Sequence, residues 1–548
     1  MKRRILFIAA IMLSAVSFAQ KDSLRAVVNI ESDYTPVTMS VNKINFSPEV
    51  IGNAARKPPA IFFSESSLPF DGFVSEKSTR ELTHQATLPY EGYARLGYGV
   101  VNELDVKASY NFNITPRDNV NAYVAVDGYK RWLDGEIGDW KSRMYNTTIG
   151  MNYSHRFDYI KLDADAGVDN MVFNYQDAGF NAGHTNKQNS TGARVGVRGE
   201  SMLSGPFAYT FRAGYTYAGR KYSYDMEKGI NENRILAGGS VLYKIENAEL
   251  NKVGMDVELN TFLYNGVLRK SVNKYRDYLS LDIDPYLNFD ISDWQLRLGT
   301  SMKIVTANGA TFSIAPDVRL RKDFSDKIQF FAYATGGRED NNFARIQSIT
   351  PYWGFDEECG KQLKPTYKVV DATVGSTITV EPLFIEMTAG YAYTKDDLLQ
   401  TMEVSGNSYI YSNLAQQNTH NAHLFARLGY DFGGWLNVSG DARYDYWDCD
   451  NEDLLVLKPE ITCNLNAEAR IFGDLTINAG YNFTRYTKSA KGKRVNLKND
   501  LSLRIAYQIT PRFGAYIQGD NLLNDKHYEY AGYYARGARG LIGLTANF

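Results

Sequence analysis

The C-terminal segment of the chain, residues 501–548, alternates apolar and polar residues and ends on an aromatic side chain. Its first stretch has apolar residues at every second position: Leu501, Leu503, Ile505, Tyr507 and Ile509. Because side chains of a β-strand point alternately to opposite faces, this pattern predicts a strand with one apolar and one polar face. In a β-sandwich the apolar face meets a second sheet. In a membrane barrel it meets lipid, and the polar face lines a lumen.

The same alternation repeats from Tyr90 onward, in about 22 segments separated by turn residues. The most regular apolar rows begin at Ile160, Leu279, Leu436 and Leu475. The opposite faces carry charges, which are costly inside a packed core but stable in a wet lumen. The sequence therefore predicts an all-β fold, a transmembrane antiparallel β-barrel of about 22 strands. The lumen-lining candidates are Asp163, Asp165, Asp282, Asp284, Asp441, Arg443 and Arg504.

The connections between the segments alternate in length. Short ones fall at positions 158, 204–206, 247–248, 292–293, 325–326, 433–434, 473–474 and 510–512. Longer polar stretches fall at 133–143, 176–189, 222–233, 267–275, 337–365, 396–418, 488–494 and 524–536. This alternation is typical of periplasmic turns and extracellular loops, and counting back from Phe548 predicts that both termini are periplasmic. A row of β-sandwich domains is the alternative, but no linker interrupts the series.

The N-terminal residues predict export. Residues 1–19 combine a basic start, an apolar stretch over 5–16 and small residues at Ser17 and Ala19, which together predict a signal peptide cleaved before Gln20. A helical anchor is the alternative, but the apolar stretch is too short to span a bilayer. Export and the barrel pattern together predict localisation in the outer membrane, in contact with its lipid. Residues 20–89 contain several prolines and predict an arm that is periplasmic or occupies the lumen, and residues 90–548 are predicted to form the barrel.

Charge and motifs argue against several other functions. The formal net charge is -2 and the basic residues are scattered, so no nucleic-acid partner is expected. The three cysteines, Cys359, Cys449 and Cys463, are too dispersed for a disulfide framework or a zinc site. No nucleophile elbow, zinc-protease helix or phosphate-binding loop is present. We therefore expect no catalytic residue, cofactor or metal, with a Ser/His pair assembled across strands as an open alternative.

The long stretch 337–365 contains aromatic residues beside acids. Tyr352, Trp353 and Phe355 are candidates for contact with a ligand or a surface partner, because exposed aromatics often mark interaction sites. The simpler interpretation, which we favour, is an aromatic cluster that stabilises a long loop.

Two groups of residues carry a family resemblance. The run Gly-Asp-Asn-Leu-Leu-Asn-Asp-Lys-His-Tyr at 519–528, followed by Gly-Leu-Ile-Gly-Leu at 540–544 and the terminal Phe548, resembles the C-terminal part of TonB-dependent receptor barrels. Residues 363–366, 409–413 and 434–436 are similar to the strands that precede it in that family. The chain differs by one residue in the spacing of Gly537 and Arg539. The resemblance implies an outer-membrane barrel whose terminal aromatic, Phe548, is an insertion signal for the outer-membrane assembly machinery.

The resemblance stops at the N-terminal side. Receptors of that family carry a globular plug between the signal peptide and the first strand, whereas only residues 20–89 occupy that position here. We expect a relative without the plug, in which residues 20–89 form an extended arm. The segment 26–30 is an alternative binding box for an energising protein.

The predicted function is that of a solute channel or a transport-related protein, which passes a small solute of unknown identity. The alternative is a structural or interaction subunit that binds a partner protein of the cell envelope. An enzyme ranks far behind both, since the lumen carboxylates are expected to face water rather than to form an acid/base array.

Overall fold

The computed structural model describes residues 90–548, apart from residues 101, 137, 177–186, 203–204, 222–229, 247–248, 267–274, 354–361, 406–408, 456 and 488–496. The side chains of residues 403–405 and 409–411 are also outside the description. The predicted signal peptide (1–19), the predicted arm (20–89) and Phe355 lie outside the described residues.

Twelve strands make up the first half of the described chain. They are β1 (Gly92–Gly99), β2 (Glu103–Thr115), β3 (Asp118–Leu133), β4 (Trp140–Arg156), β5 (Ile160–Asn174), β6 (Lys187–Ser201), β7 (Phe207–Arg220), β8 (Ile230–Lys244), β9 (Leu250–Gly266), β10 (Tyr278–Ile291), β11 (Trp294–Val305) and β12 (Phe312–Ser325).

The second half adds twelve strands, one α-helix and one short 3-10 helix. They are β13 (Ile328–Glu339), α1 (Phe343–Ile349), β14 (Thr366–Val380), β15 (Leu383–Ser405), β16 (Tyr409–Asp431), β17 (Leu436–Cys449), the 3-10 helix Glu452–Leu454, β18 (Pro459–Ile471), β19 (Leu475–Tyr486), β20 (Lys498–Gln508), β21 (Phe513–Asp520), β22 (Tyr528–Tyr530), β23 (Tyr533–Tyr534) and β24 (Arg539–Asn547).

Twenty-two of these strands form one closed antiparallel barrel, as the alternation predicts. Each strand pairs with its neighbour in sequence, except that β21 pairs with β24 and the small hairpin β22–β23 lies outside the sheet. Pairing of β1 with β24 closes the barrel. The start of β1 and the end of β24 therefore meet at one rim of the barrel, where Gly92 N donates to Phe548 O at 2.6 Å. We call this the terminal rim and the opposite one the loop rim. That the terminal rim is periplasmic stays a prediction.

Alternation in the sequence becomes an outer apolar surface in the barrel. Each predicted apolar row has an exposed member on the outer surface of the barrel. Examples are Val168 on β5, Leu287 on β10, Tyr444 on β17 and Ile505 on β20. Near the terminal rim the exposed side chains are largely aromatic: Phe157, Tyr159, Phe324, Phe432, Trp435, Phe472, Phe513 and Phe548. An apolar band bordered by aromatic residues is typical of a barrel that faces lipid.

The connections follow the predicted division. The strand ends that flank every short connection named from the sequence lie at the terminal rim, and those that flank the long stretches lie at the loop rim. The expected loop at 396–418 is wrong, because β15 and β16 continue there as a paired hairpin up to Ser405 and Tyr409. Leu399 and Leu414 of this extension are both buried, on opposite faces of the hairpin, and Leu414 belongs to an apolar cluster of the loop rim with Phe343 and Ile346.

The seam between the first and last strands is built around one tyrosine. The strand register places Tyr516 beside Gly543, Gly543 beside Gly97, and Gly97 beside Asp105, on four successive strands. A Cβ atom added at Gly543 or Gly97 would overlap the Tyr516 ring or its hydroxyl. Glycine within a strand often marks such a close approach. The ring thus lies flat across the strands that close the barrel.

Candidate lumen and its cover

The predicted lumen residues all lie on the strand faces opposite the exposed apolar rows. Among those on β5, Asp163 pairs with Lys161 at 3.0 Å and Asp165 with Arg194 of β6 at 3.7 Å. The Arg194 guanidinium also reaches Asp169 at 3.1 Å. Side chains of Asp165 and Arg194 are close to half exposed, so these pairs are in contact with water.

The other candidates take part in further polar contacts. Lys303 lies between Asp282, at 3.2 Å, and Asp340, at 2.8 Å. Asn464 Nδ2 donates to Asp441 at 2.8 Å. Arg443 bonds Asp445 through Nε at 2.8 Å and Nη2 at 3.0 Å.

Two candidates have different surroundings. Asp284 lies directly beside Asp256 in the strand register, so two carboxylates are neighbours on the inner wall. The guanidinium of Arg504 lies 4.5 Å from the centroid of the Tyr516 ring. Tyr516 belongs to the seam of the barrel, so Arg504 borders the place where the barrel closes.

The alternation predicts a charged face but does not show which charges pair across neighbouring strands. Arg212 and Arg234 both bond Glu258, and Arg297 and Arg319 both bond Asp317. Partly exposed pairs of this kind typically contribute about 0–1 kcal/mol each to stability. Their main effect is on the lumen, which carries charges of both signs at short distances from one another.

The loop rim of the barrel is covered from inside by the connection between β13 and β14. Asn342 caps α1 by accepting a hydrogen bond from Arg345 N at 3.0 Å. Phe343 and Ile346 of the helix are fully buried against inner-wall residues. This first apolar cluster consists of Ile230, Phe262, Tyr264, Tyr275, Tyr278, Val305, Phe343, Ile346, Trp353 and Leu414.

A second cluster continues the cover along the wall to strands β3, β4 and β5. Tyr352 stacks on Tyr533 of the β22–β23 hairpin, with ring centroids 3.6 Å apart and planes at 8°. Burial raises the pKa of both phenols well above the usual value, so both stay neutral. The cluster consists of Tyr129, Leu133, Trp140, Phe173, Tyr175, Tyr352 and Tyr533.

The expectation that aromatic residues of this loop are exposed is wrong for Tyr352 and Trp353. Their exposed fractions are 3% and 1%, respectively. The preferred alternative, a cluster that stabilises the loop, agrees with their positions. Alternating sequence patterns do not reveal this burial, because the partners come from strands far away in the chain.

Two buried charged side chains of the wall hold the loop by its main chain. Arg220 of β7 donates from Nη1 to Trp353 O at 3.0 Å and from Nη2 to Pro351 O at 2.8 Å. It also donates to the Tyr175 hydroxyl at 2.8 Å. Glu232 of β8 accepts a hydrogen bond from Phe343 N at 2.6 Å. We define the cover as residues 340–353, the outer part of the β15–β16 hairpin and the β22–β23 hairpin.

The three parts of the cover contact one another. Ser412 N donates to Tyr352 O at 3.1 Å, which joins β16 to the loop. Ala531 N donates to Gln400 Oε1 at 3.3 Å, which joins the β22–β23 hairpin to β15. The cover is therefore one packed layer rather than three separate loops.

Within the described part of the chain, no group of three or more His, Cys, Asp or Glu residues is placed to hold a metal ion. Cys449 and Cys463 are both free thiols. None of the described helices is long and apolar enough to cross a membrane.

No protein-family model and no curated protein matches the chain. Solved structures do match. The FrpB iron transporter from Neisseria meningitidis aligns with a TM-score of 0.64 at 10% identity, over 84% of this chain and 81% of that one. A mutant ferric enterobactin receptor from Pseudomonas aeruginosa, in complex with enterobactin, aligns with a TM-score of 0.63 at 14% identity, over 83% and 81%.

The copper transporter OprC gives a TM-score of 0.60 at 13% identity, over 83% of this chain and 80% of that one. At these identities the likeness concerns the fold. The chain is thus a closed 22-stranded antiparallel β-barrel with the fold of these solved structures. This is the barrel that the resemblance to TonB-dependent receptors predicts.

Proposed function

We propose that this protein is an outer-membrane barrel that passes a small polar solute through its lumen. The observation that carries the proposal is the closed barrel with paired charges of both signs along its inner face. Transporters of iron and copper share the fold, which supports a transport-related role without identifying the solute. A wall of mixed sign favours weak ion selectivity.

We also propose that residues 20–89 act as an arm in place of a globular plug. The described chain enters the barrel at Gly92 on the terminal rim, and this is the rim at which we propose that the arm acts. Twenty-two strands enclose a wide lumen, which an arm of this length can obstruct.

Deleting residues 20–89, with the signal peptide kept, is expected to increase the conductance of the purified protein in planar bilayers. The physical reason is removal of an obstruction from the terminal end of the lumen. A matched control replaces the arm by a Gly/Ser segment of equal length. If the arm obstructs the lumen through its own sequence, this variant should conduct like the deletion. Heat-modifiable gel mobility checks that each variant is folded.

A barrel that is silent in all three forms, and that stays silent when the cover of the loop rim is also detached, would contradict the channel proposal. It would favour the alternative of a structural subunit, which the packed cover of the loop rim also supports. In that case a pulldown in gentle detergent should recover a stoichiometric envelope partner with the full-length chain and lose it with the arm deletion.

The third part of the proposal is that Phe548 is read by the outer-membrane assembly machinery. Phe548 exchanges two main-chain hydrogen bonds with Gly92, at 2.6 Å and 3.0 Å, and its ring stacks on Tyr110 at 5.9 Å. The side chain is exposed at the terminal rim. The Phe548 side chain is therefore accessible to the assembly machinery and also belongs to the band of aromatic residues at the terminal rim.

Deleting Phe548 is expected to reduce the amount of folded barrel in cells more strongly than the yield of refolding in detergent. Phe548→Tyr, which keeps the aromatic ring, serves as the control and should stay near wild type in both measurements. Equal losses in cells and in detergent would show that Phe548 only stabilises the rim. In that case it would not be a signal.

A further inference from the structure

The cover of the loop rim has an unusual mode of attachment. Residues 340–353 leave β13 and contact inner-wall residues along the arc of the wall from β5 to β11. They also contact Ser412 of β16 and Tyr533 of the β22–β23 hairpin, which belong to another part of the barrel. The contacts include main-chain carbonyls at Pro351 and Trp353 and the main-chain amide of Phe343. A segment that touches so much of the wall crosses the lumen rather than lining one edge of it.

We propose that residues 340–353 form a releasable latch that blocks the loop rim of the lumen, and that Arg220 and Glu232 hold it closed. This inference rests on the proposed function, since a latch has meaning only for a barrel that passes a solute. It adds a second barrier, at the rim opposite the arm, and assigns the residues that control it.

The chemistry of the two anchors supports a latch over permanent packing. Arg220 is 1% exposed and Glu232 is 2% exposed, and a buried charge is costly unless hydrogen-bonded. Their hydrogen bonds to the loop are charge-assisted, which makes them stronger than neutral ones. Both side chains share the inner strand faces with Arg212 and Arg234, so release of the loop would expose them to lumen water. The anchors are therefore compatible with a closed and an open arrangement.

The bonds also depend little on the loop's side chains. At Pro351, Trp353 and Phe343 the bonded atoms belong to the main chain. Removing one anchor side chain therefore removes its hydrogen bonds to the loop while the loop sequence stays unchanged. Substitution of an anchor therefore tests the hydrogen bonds alone, whereas a substitution within the loop would also disturb the apolar clusters.

The test uses the full chain in planar bilayers, with and without the arm. Arg220→Met should raise the fraction of time spent in the open state by roughly tenfold, as expected for loss of a charge-assisted hydrogen bond to a buried group. Arg212→Met is the matched control, because Arg212 lies on the same strand and face but bonds Glu258 rather than the loop. It should leave the open fraction near that of the wild type.

A second variant replaces residues 340–365 by a two-residue Asn-Gly turn, which is suited to join the paired residues Glu339 and Thr366. In the arm-deleted background it should raise the single-channel conductance several-fold. Where the excision does not fold, as judged by heat-modifiable mobility, Arg220→Met decides the question.

The outcomes separate the two proposals. Suppose that deletion of the arm alone opens a channel, and that Arg220→Met and the excision then leave its conductance and open fraction unchanged. In that case the latch proposal is wrong, and the proposal that a solute passes through the lumen is supported. If no variant conducts in either background, both the latch and the proposed function are wrong. Equal effects of Arg220→Met and Arg212→Met would show that lumen charge, not attachment of the loop, controls the current.

Discussion

Gly543→Val is expected to prevent most of the protein from reaching the closed barrel. Gly543 faces inward on β24, and any Cβ there overlaps the ring of Tyr516 on the neighbouring strand. Gly97 on the other side of the seam is equally crowded by the Tyr516 hydroxyl, so the ring has no space into which it can move. Overpacking typically costs about 1–3 kcal/mol, and here the cost falls on the strands that close the sheet. Heat-modifiable gel mobility after refolding measures the folded fraction.

Gly540 provides the matched control on the same strand. An added Cβ at Gly540 comes no closer to a neighbouring atom than 4.0 Å, at Gln518 O, so Gly540→Val should fold almost as well as the wild type. The double variant Tyr516→Ala with Gly543→Val should recover part of the folded fraction, because the overlapping ring is gone. If Gly543→Val and Gly540→Val fold equally well, the seam does not depend on this contact.

Leu544→Arg is expected to destabilise the barrel by about 2–4 kcal/mol, the cost of an arginine on the lipid face near the bilayer midplane. Leu544 is 61% exposed. It occupies the middle of the outward row formed by Gly540, Ile542, Leu544, Ala546 and Phe548. Urea titration of the barrel in lipid vesicles, with tryptophan fluorescence as the signal, gives the change in the free energy of unfolding.

Thr545→Asn is the control one residue further along. Thr545 lies on the inner face of β24, beside Gly514 in the strand register, where a polar side chain meets other polar groups. Its substitution should change the free energy of unfolding by much less than Leu544→Arg does. Equal sensitivity of both positions would contradict the assignment of this row to lipid.

The barrel itself could be predicted from the sequence because its cause is local. A strand between lipid and water must alternate apolar and polar residues, so rows such as those beginning at Ile160 and Leu475 already show which face points outward. The lengths of the connections also follow the local sequence, and they predict that the short turns lie at the same rim as Phe548. Strand number and antiparallel order then follow from the repetition of short and long connections.

Only the tertiary structure decided how the loop rim is filled. Arg220 and Glu232 lie on regular strands, and their contacts with residues 343–353 join parts of the chain more than a hundred residues apart. The burial of Tyr352 and Trp353 and the extension of the β15–β16 hairpin depend on the same long-range packing. Alternation records which side of the sheet a residue takes. It carries no information about what a distant loop places against that side, because that contact exists only after the barrel has closed.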